Sequence, residues 1–211
     1  MTYVLVHLVG DDATRAATRL VKHLEAERPA STRFQGPDPR HDDVAECLAR
    51  APSSASAVCV SHGGPAGLGP DREQVWADAS DLGRLFRDRR VYAYACDSAG
   101  SIESLGARAV EEGVAVFVGH EGPITAPMSA AAMQMVDSVA SAAIVGFIDG
   151  DDDERSLRTL IFDASDALIP DDIPIDRAAI KNGRPNFWTQ SEVFDKLAFS
   201  LRVHRREGKP R

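Results

Sequence analysis

The sequence is poor in the features that mark several large classes of protein. Only three of its 211 residues are cysteine, an odd number set among apolar neighbours. That excludes the disulfide framework of a small secreted scaffold, and Cys47, Cys59 and Cys96 read as free thiols of a reducing compartment. Basic residues are outnumbered, 24 against 32 acids for a net charge of -8, so the clustered basic surface that nucleic acid requires is not expected. No apolar run reaches the roughly 18–20 residues of a membrane span. The best stretch, Met128 to Ile148, is interrupted by Gln134 and Asp137 and reads as an amphipathic helix. Met1-Thr2-Tyr3-Val4-Leu5-Val6 holds neither a basic leader nor a small-residue cleavage site, so the expected location is the cytoplasm. Glycine and proline, 16 and 12 residues, are too few for a disordered chain.

What is present is a globular composition, 44% hydrophobic and 27% charged, at the length of one domain that can bury a sizeable core. Short apolar runs alternate with longer segments of helical period, which predicts an α/β domain: a mostly parallel sheet with helices on both faces. Strands are expected over 3–9, 55–61, 91–95 and 114–119, with a weaker one near Thr32-Arg33-Phe34. Helices are expected over 13–27, 42–50, 80–88, 101–112, 129–147 and 154–168, with Ser101 as an N-cap and Gly113 just past a helix end. The segment from Gly63 to Ala79 is rich in glycine and proline and reads as a small hairpin turning at Pro70-Asp71.

The acidic run Asp149-Gly150-Asp151-Asp152-Asp153 lacks the alternating oxygen positions and closing Glu of a calcium loop, so it reads as a solvated turn capping the next helix. Residues 170–174 and 183–188 read as loops packed over the domain, 191–204 as a closing helix, and 202–211, with five basic side chains and one acid, as a solvated flexible tail. The whole of 1–211 is expected to be a single domain.

Two of the expected strands run into residues that can do chemistry. One ends in Ser61-His62-Gly63-Gly64 and the other in Ala95-Cys96-Asp97-Ser98-Ala99-Gly100. In an open parallel sheet, ligands bind outside the carboxyl ends of the strands. Neighbouring strands lie about 4.8 Å apart, so an imidazole and a thiol on adjacent strand ends face each other. A histidine beside a thiol raises the thiolate fraction and later protonates the leaving amine. Gly63 lets a substrate backbone approach, and its N–H together with that of Cys96 can hold a developing oxyanion. The small residues after Cys96 permit a sharp turn, with the sulfur near the start of the helix expected from Ser101.

The succession of a strand ending in Ser61-His62-Gly63 and another ending in Tyr94-Ala95-Cys96-Asp97-Ser98 resembles the caspase-like cysteine peptidases, and most nearly the bacterial CHAT domains, over roughly residues 51–168. The resemblance implies a three-layer caspase-like fold and a cysteine endopeptidase with a His62–Cys96 dyad. It further implies an oxyanion role for Gly63, no cofactor, a protein or peptide substrate and, by analogy, an activating protein partner. Two departures stand out. The span from His62 to Cys96 is short for the family, and the fourth strand ends in Gly119-His120-Glu121-Gly122-Pro123 where many CHAT relatives carry an aromatic residue.

Other readings stay open on the residues alone. Cys96 can also be read as a small buried hydrophobe, and the domain as a non-catalytic module whose cleft binds a protein partner. His62, Cys96 and His120, with Asp97 or water, form a permissible zinc set for a metal-dependent hydrolase, though without the close pair spacing that identifies such sites. The run from Gly63 to Pro70 lacks the Lys-Ser/Thr of a phosphate loop, and no Gly-x-Ser-x-Gly elbow follows it. Asp97, His120 and Glu121 are expected to line the substrate cleft. Asp11, Asp12 and Glu121 are acids that can face a cationic side chain, which points to Arg or Lys before the scissile bond, although Asp12 also fits as an N-cap. An activated Cys96 is expected to react with iodoacetamide near neutral pH faster than Cys47 and Cys59.

Overall fold

A computed structural model of the chain describes residues 2–124, 130–168, 174–175, 180–181, 184–185 and 188–206. The chain opens with β1 (Tyr3–Leu8), passes through α1 (Asp12–Ala16) and α2 (Thr18–Glu27) to β2 (Thr32–Gly36), and returns by α3 (His41–Arg50) to β3 (Ser56–Val60). A short hairpin, β4 (His62–Gly63) and β5 (Leu68–Gly69), and α4 (Ala79–Leu85) lead to β6 (Arg90–Tyr94). From there α5 (Leu105–Glu111) leads to β7 (Val116–His120). Next come α6 (Ala130–Ile148) and α7 (Glu154–Leu168), then the two-residue strands β8 (Pro174–Ile175), β9 (Ile180–Lys181), β10 (Arg184–Pro185) and β11 (Trp188–Thr189). The described chain closes with α8 (Gln190–Ser200) and β12 (Leu201–Arg205).

The main sheet has six strands in the order β12-β7-β6-β3-β1-β2. All neighbours are parallel except β12, which runs antiparallel to β7. Each central strand is apolar on both sides, as a sheet covered twice must be: every residue of β1, β3 and β7 is buried. Alternation then divides the core. Tyr3, Leu5, Val58, Val60 and Tyr92 pack with the apolar faces of α2, α6, α7 and α8. Val4, Val6, Ala57, Cys59 and Ala93 pack on the opposite side with α3, α4 and α5. The result is the three-layer α/β architecture that the periodicity predicts. Among the described residues no helix is long and apolar enough to cross a membrane.

The order of the strands locates the site. From β1 the chain moves outward to β2, then crosses back to β3 on the other side of β1. The connections leaving β1 and β3 therefore diverge, and such a switch point opens a crevice at the carboxyl ends of the strands.

The C-terminal expectations need correction. The closing helix stops at Ser200, and residues 201–205 form the edge strand β12 in place of a helix end or a frayed tail. Leu201 is fully buried, and the basic side chains have acidic partners: Arg202 with Glu121, Arg205 with Asp152 and Arg206 with Asp88. Residues 207–211, and the parts of 170–174 and 183–188 not in the short strands, lie outside the described residues. The acidic turn is only partly solvated. Asp153 accepts the Ser156 N–H at 2.9 Å, as an N-cap does. Asp152, however, is 7% exposed and holds Arg90 at 3.6 Å and Arg205 at 3.1 Å.

Asp152 thus joins the α6–α7 turn to a central strand and to the edge strand. Its removal leaves Arg90 without that counter-charge over the Phe147 ring, 4.3 Å away. We expect Asp152→Ala to destabilise the fold by about 3 kcal/mol, the order found when one partner of a buried ion pair is deleted. The measurement is the urea midpoint at unchanged slope.

Candidate active site

The pairing of β3 with β6 brings the histidine and the cysteine together. Val60 stands opposite Tyr94, and the Ser61 N–H donating to the Tyr94 carbonyl at 3.3 Å carries the pairing one residue further. The same register places His62 opposite Cys96. Period-two alternation continues from Val58 and Val60 to His62, and from Tyr92 and Tyr94 to Cys96, so both point to the face covered by α2 and α6. There they line one cavity of about 120 Å³, together with Ala13 and Ala16 of α1, Val136 of α6 and Ile124.

Gly63 is glycine for a steric reason. A Cβ there would overlap the Cys96 carbonyl oxygen and crowd the Ala95 side chain, wedging the two strand ends apart. Its N–H is also left out of the hairpin ladder. The Gly64 N–H donates to Gly67, and Leu68, opposite Gly63, donates its own N–H to the Ala77 carbonyl. Gly63 and Leu68 are therefore a non-hydrogen-bonded antiparallel pair, and the Gly63 N–H faces away from β5.

The imidazole is held by a carboxylate from the start of α1. His62 Nε2 lies 2.8 Å from Asp11 Oδ2, while Asp11 Oδ1 accepts the Thr14 N–H at 3.0 Å as the N-cap of α1. Thr14 completes a capping box by returning its hydroxyl to the Asp11 N–H. Burial pushes the Asp11 carboxyl upward, but the hydrogen bonds from the Thr14 N–H, His62 and the Thr14 hydroxyl outweigh it and leave the group below the usual carboxylate range. A carboxylate accepts only, so Nε2 carries the proton, and Nδ1 is the nitrogen with a free lone pair in the neutral ring. Asp11 is thus an orienting group for the histidine, not a substrate contact.

The sulfur is in a different condition from the one expected. Cys96 Sγ accepts the Ile124 N–H at 3.2 Å; the imidazole is not its hydrogen-bond partner. Burial pushes the thiol upward, and the neighbouring Asp97 carboxylate adds to this. The Ile124 N–H and the Arg72 guanidinium pull the other way without reversing it. The expected helix dipole gives no help, because α5 begins at Leu105 with Ser104 as its cap. Ser98 keeps the chain in a turn there: it is fully buried, donates its hydroxyl to the Ala95 carbonyl at 2.8 Å and accepts the His120 N–H at 3.2 Å. The turn begins at Asp97, whose φ of 49° lies in the left-handed region, and its N–H is tied to the Gly122 carbonyl at 3.0 Å. The expectation of fast alkylation at neutral pH is therefore revised: Cys96 rests as a protonated thiol.

Three other expected cleft residues are placed elsewhere. His120 is fully buried, with Nδ1 2.9 Å from the Ser200 hydroxyl and Nε2 3.4 Å from the Tyr92 hydroxyl, and burial pushes its pKa down to about 3. It is a core histidine, so it does not join His62 and Cys96 as a ligand set. No group of three potential metal ligands occurs among the described residues. Glu121 pairs with Arg202 at 2.5 Å. Asp12 points into solvent with Arg15 and is not the cap of the first helix; Asp11 is. Sequence reasoning passed over Thr14, Ile124 and the Arg19–Asp137 ion pair at 3.3 Å, all of which border the cavity. Asp137 was visible in the sequence as the break in an apolar run, which was the available signal.

No protein-family model and no curated protein sequence matches this chain.

Two measurements follow from the geometry. Because the Asp11 carboxyl is depressed in the folded protein, its contribution to stability is present above about pH 4 and is lost as the pH falls through the folded-state value. Urea midpoints recorded from pH 6 to pH 2 should lose part of this acid dependence in Asp11→Asn. Because the Cys96 thiol is raised, its alkylation by iodoacetamide at pH 7 should be slower than that of free cysteine, and should go on climbing with pH beyond the point at which free cysteine levels off. Cys59, fully buried with its thiol pushed up to about 12, should react only on unfolding.

Proposed function

We propose that this chain is a cysteine endopeptidase of the caspase-like type, nearest to the CHAT domains, in which Cys96 is the nucleophile and His62 the proton carrier. The observation that carries the reading is the sharing of one cavity by a thiol and an imidazole on adjacent parallel strand ends, with the imidazole tied to Asp11. Nucleophile, base and a third group orienting the base are the recurring pattern of covalent acyl transfer. The free cysteines fit a reducing cytoplasm.

The steps follow from the residues. Peptide binding brings a carbonyl carbon against Cys96 Sγ. The S–C bond forms as the thiol proton passes to His62 Nδ1, and Asp11 stabilises the imidazolium through Nε2. The carbonyl oxygen, now carrying the electron pair, takes the N–H of Gly63 and that of Cys96. Collapse breaks the C–N bond, and His62 returns its proton to the departing amine. Water, deprotonated by His62, then attacks the thioester, releases the new carboxyl terminus and restores the thiol. A protonated resting thiol suits a base that acts only once substrate, or an activating protein partner, has engaged.

One observation favours a second reading, a non-catalytic module that binds a protein in the same cleft: the sulfur is hydrogen-bonded to Ile124 rather than to His62. Cleavage of a mixed peptide library, read by mass spectrometry, separates the two. The peptidase reading expects products from wild type, none from Cys96→Ala, and in Asp11→Asn a loss approaching the roughly 10²–10⁴-fold that a positioned general base contributes. Products that persist undiminished in Cys96→Ala would sink the assignment of the nucleophile. A library left intact by all three proteins would favour the binding module.

A further inference from the structure

The walls of the cavity beside Cys96 hold more information than its catalytic edge. Ala13, Ala16, Ala17, Val60, Met133 and Val136 line it, so most of its surface is hydrocarbon. Its volume of about 120 Å³ is smaller than the roughly 150 Å³ apolar cavity that accepts one benzene, which suits an aliphatic side chain better than an aromatic one. Apart from His62, the charged side chains lining it among the described residues are Arg19 and Asp137, and they neutralise each other at 3.3 Å. A lysine or arginine entering it would have to displace Arg19 from Asp137. An acidic side chain would have to take Arg19 and leave a half-buried carboxylate behind. Either exchange strands a charge in a site of low polarity.

The acids that the sequence offered for a cationic partner are engaged elsewhere. Asp11 is bound to His62 and Thr14, Asp12 faces solvent with Arg15, and Glu121 is paired with Arg202. We infer that the cavity is the subsite for the substrate side chain next to the scissile bond, and that it selects an uncharged aliphatic residue of leucine or methionine size over arginine, lysine or aspartate. This inference rests on the peptidase reading above and specifies its substrate.

Peptidyl acyloxymethyl ketones bearing Leu, Met, Ala, Lys or Asp beside the ketone test it on the full chain. In each, Cys96 Sγ forms a thioether at the ketone's methylene, a carboxylate departs, and the thiol proton passes to His62, so the adduct mass and its position are read directly. The Leu and Met probes should label Cys96 faster than the Lys and Asp probes by at least about 10-fold, the lower end of the 10–200-fold that a side chain of the wrong size costs in a hydrophobic pocket. Ala16→Leu, which narrows the cavity, should lower the Leu-to-Ala labelling ratio. Arg19→Met, which frees Asp137, should raise the Lys-to-Leu ratio. Fastest labelling by Lys or Asp in wild type, or a Leu-to-Ala ratio unmoved by Ala16→Leu, overturns the subsite while leaving the peptidase intact. No adduct with any probe, with iodoacetamide still alkylating Cys96, overturns the peptidase reading and the subsite with it.

Discussion

Asp11 sits where the chain leaves β1, and its two carboxylate oxygens are committed in different directions, one to the Thr14 N–H at the start of α1 and one to His62. The start of the first helix, the direction of the imidazole and one wall of the cavity are therefore set by the same group. The arrangement is anchored from below as well. The Thr14 hydroxyl oxygen also lies 3.0 Å from the Pro70 carbonyl, and the Thr14 carbonyl lies 3.0 Å from Nε2 of the buried His7 on β1. The crevice between the diverging connections of β1 and β3 is thus bridged by a short polar network.

At the sulfur, burial and charge compete, and burial wins. Two groups favour the thiolate, the Ile124 N–H by a hydrogen bond and the Arg72 guanidinium by its charge, yet the thiol pKa stays above the ordinary value because desolvation is the larger effect. On the peptidase reading, a nucleophile kept neutral in this way does not depend on a standing thiolate–imidazolium pair. It depends on proton transfer during attack, which is why the identity of the unprotonated imidazole nitrogen matters. By fixing Nε2 as the donor, Asp11 leaves Nδ1 to take the proton, so the geometry of one surface carboxylate decides which atom can act as base.

Strand content was legible because its signal is local. The β3 and β6 segments are short apolar runs, and their endings in His62 and Cys96 could be read directly, while their adjacency in the sheet was a condition that only the pairing of Val60 with Tyr94 fulfils. What was not legible depends on pairing across long stretches of chain. His62 and Asp11 are 51 residues apart, so the sequence could offer Asp11 as an acid near the site but not as the histidine's partner. His120 follows an apolar strand in the same manner as His62, yet Tyr92, Tyr94 and Ser200 enclose it. β12 was hidden because Leu201 follows α8 directly, with no glycine or proline to signal the change, and its hydrogen bonds come from β7, some 80 residues earlier. Asp152 looked like part of a solvated acidic turn because the two arginines that cover it lie on β6 and β12.

The cavity itself bears on the balance between stability and use. At roughly 24 cal/mol per Å³, an enclosed apolar void of this size would cost about 3 kcal/mol, an upper bound for a space that opens beside His62 and Cys96. The sheet face beneath it is otherwise closely filled: Val60, Tyr92, Val136 and Val139 belong to one continuous core that runs on through α6 to α8. Where α1 approaches the ends of β3 and β6, Ala13, Ala16 and Ala17 line the space in place of larger side chains. Natural folds sit close to the stability they need, and unfilled apolar volume is conspicuous when simple substitutions would remove it. Here the unfilled volume borders a thiol, an imidazole fixed by a carboxylate and a glycine N–H outside its hairpin ladder, so the space and the chemistry are most simply explained together, as two parts of one site.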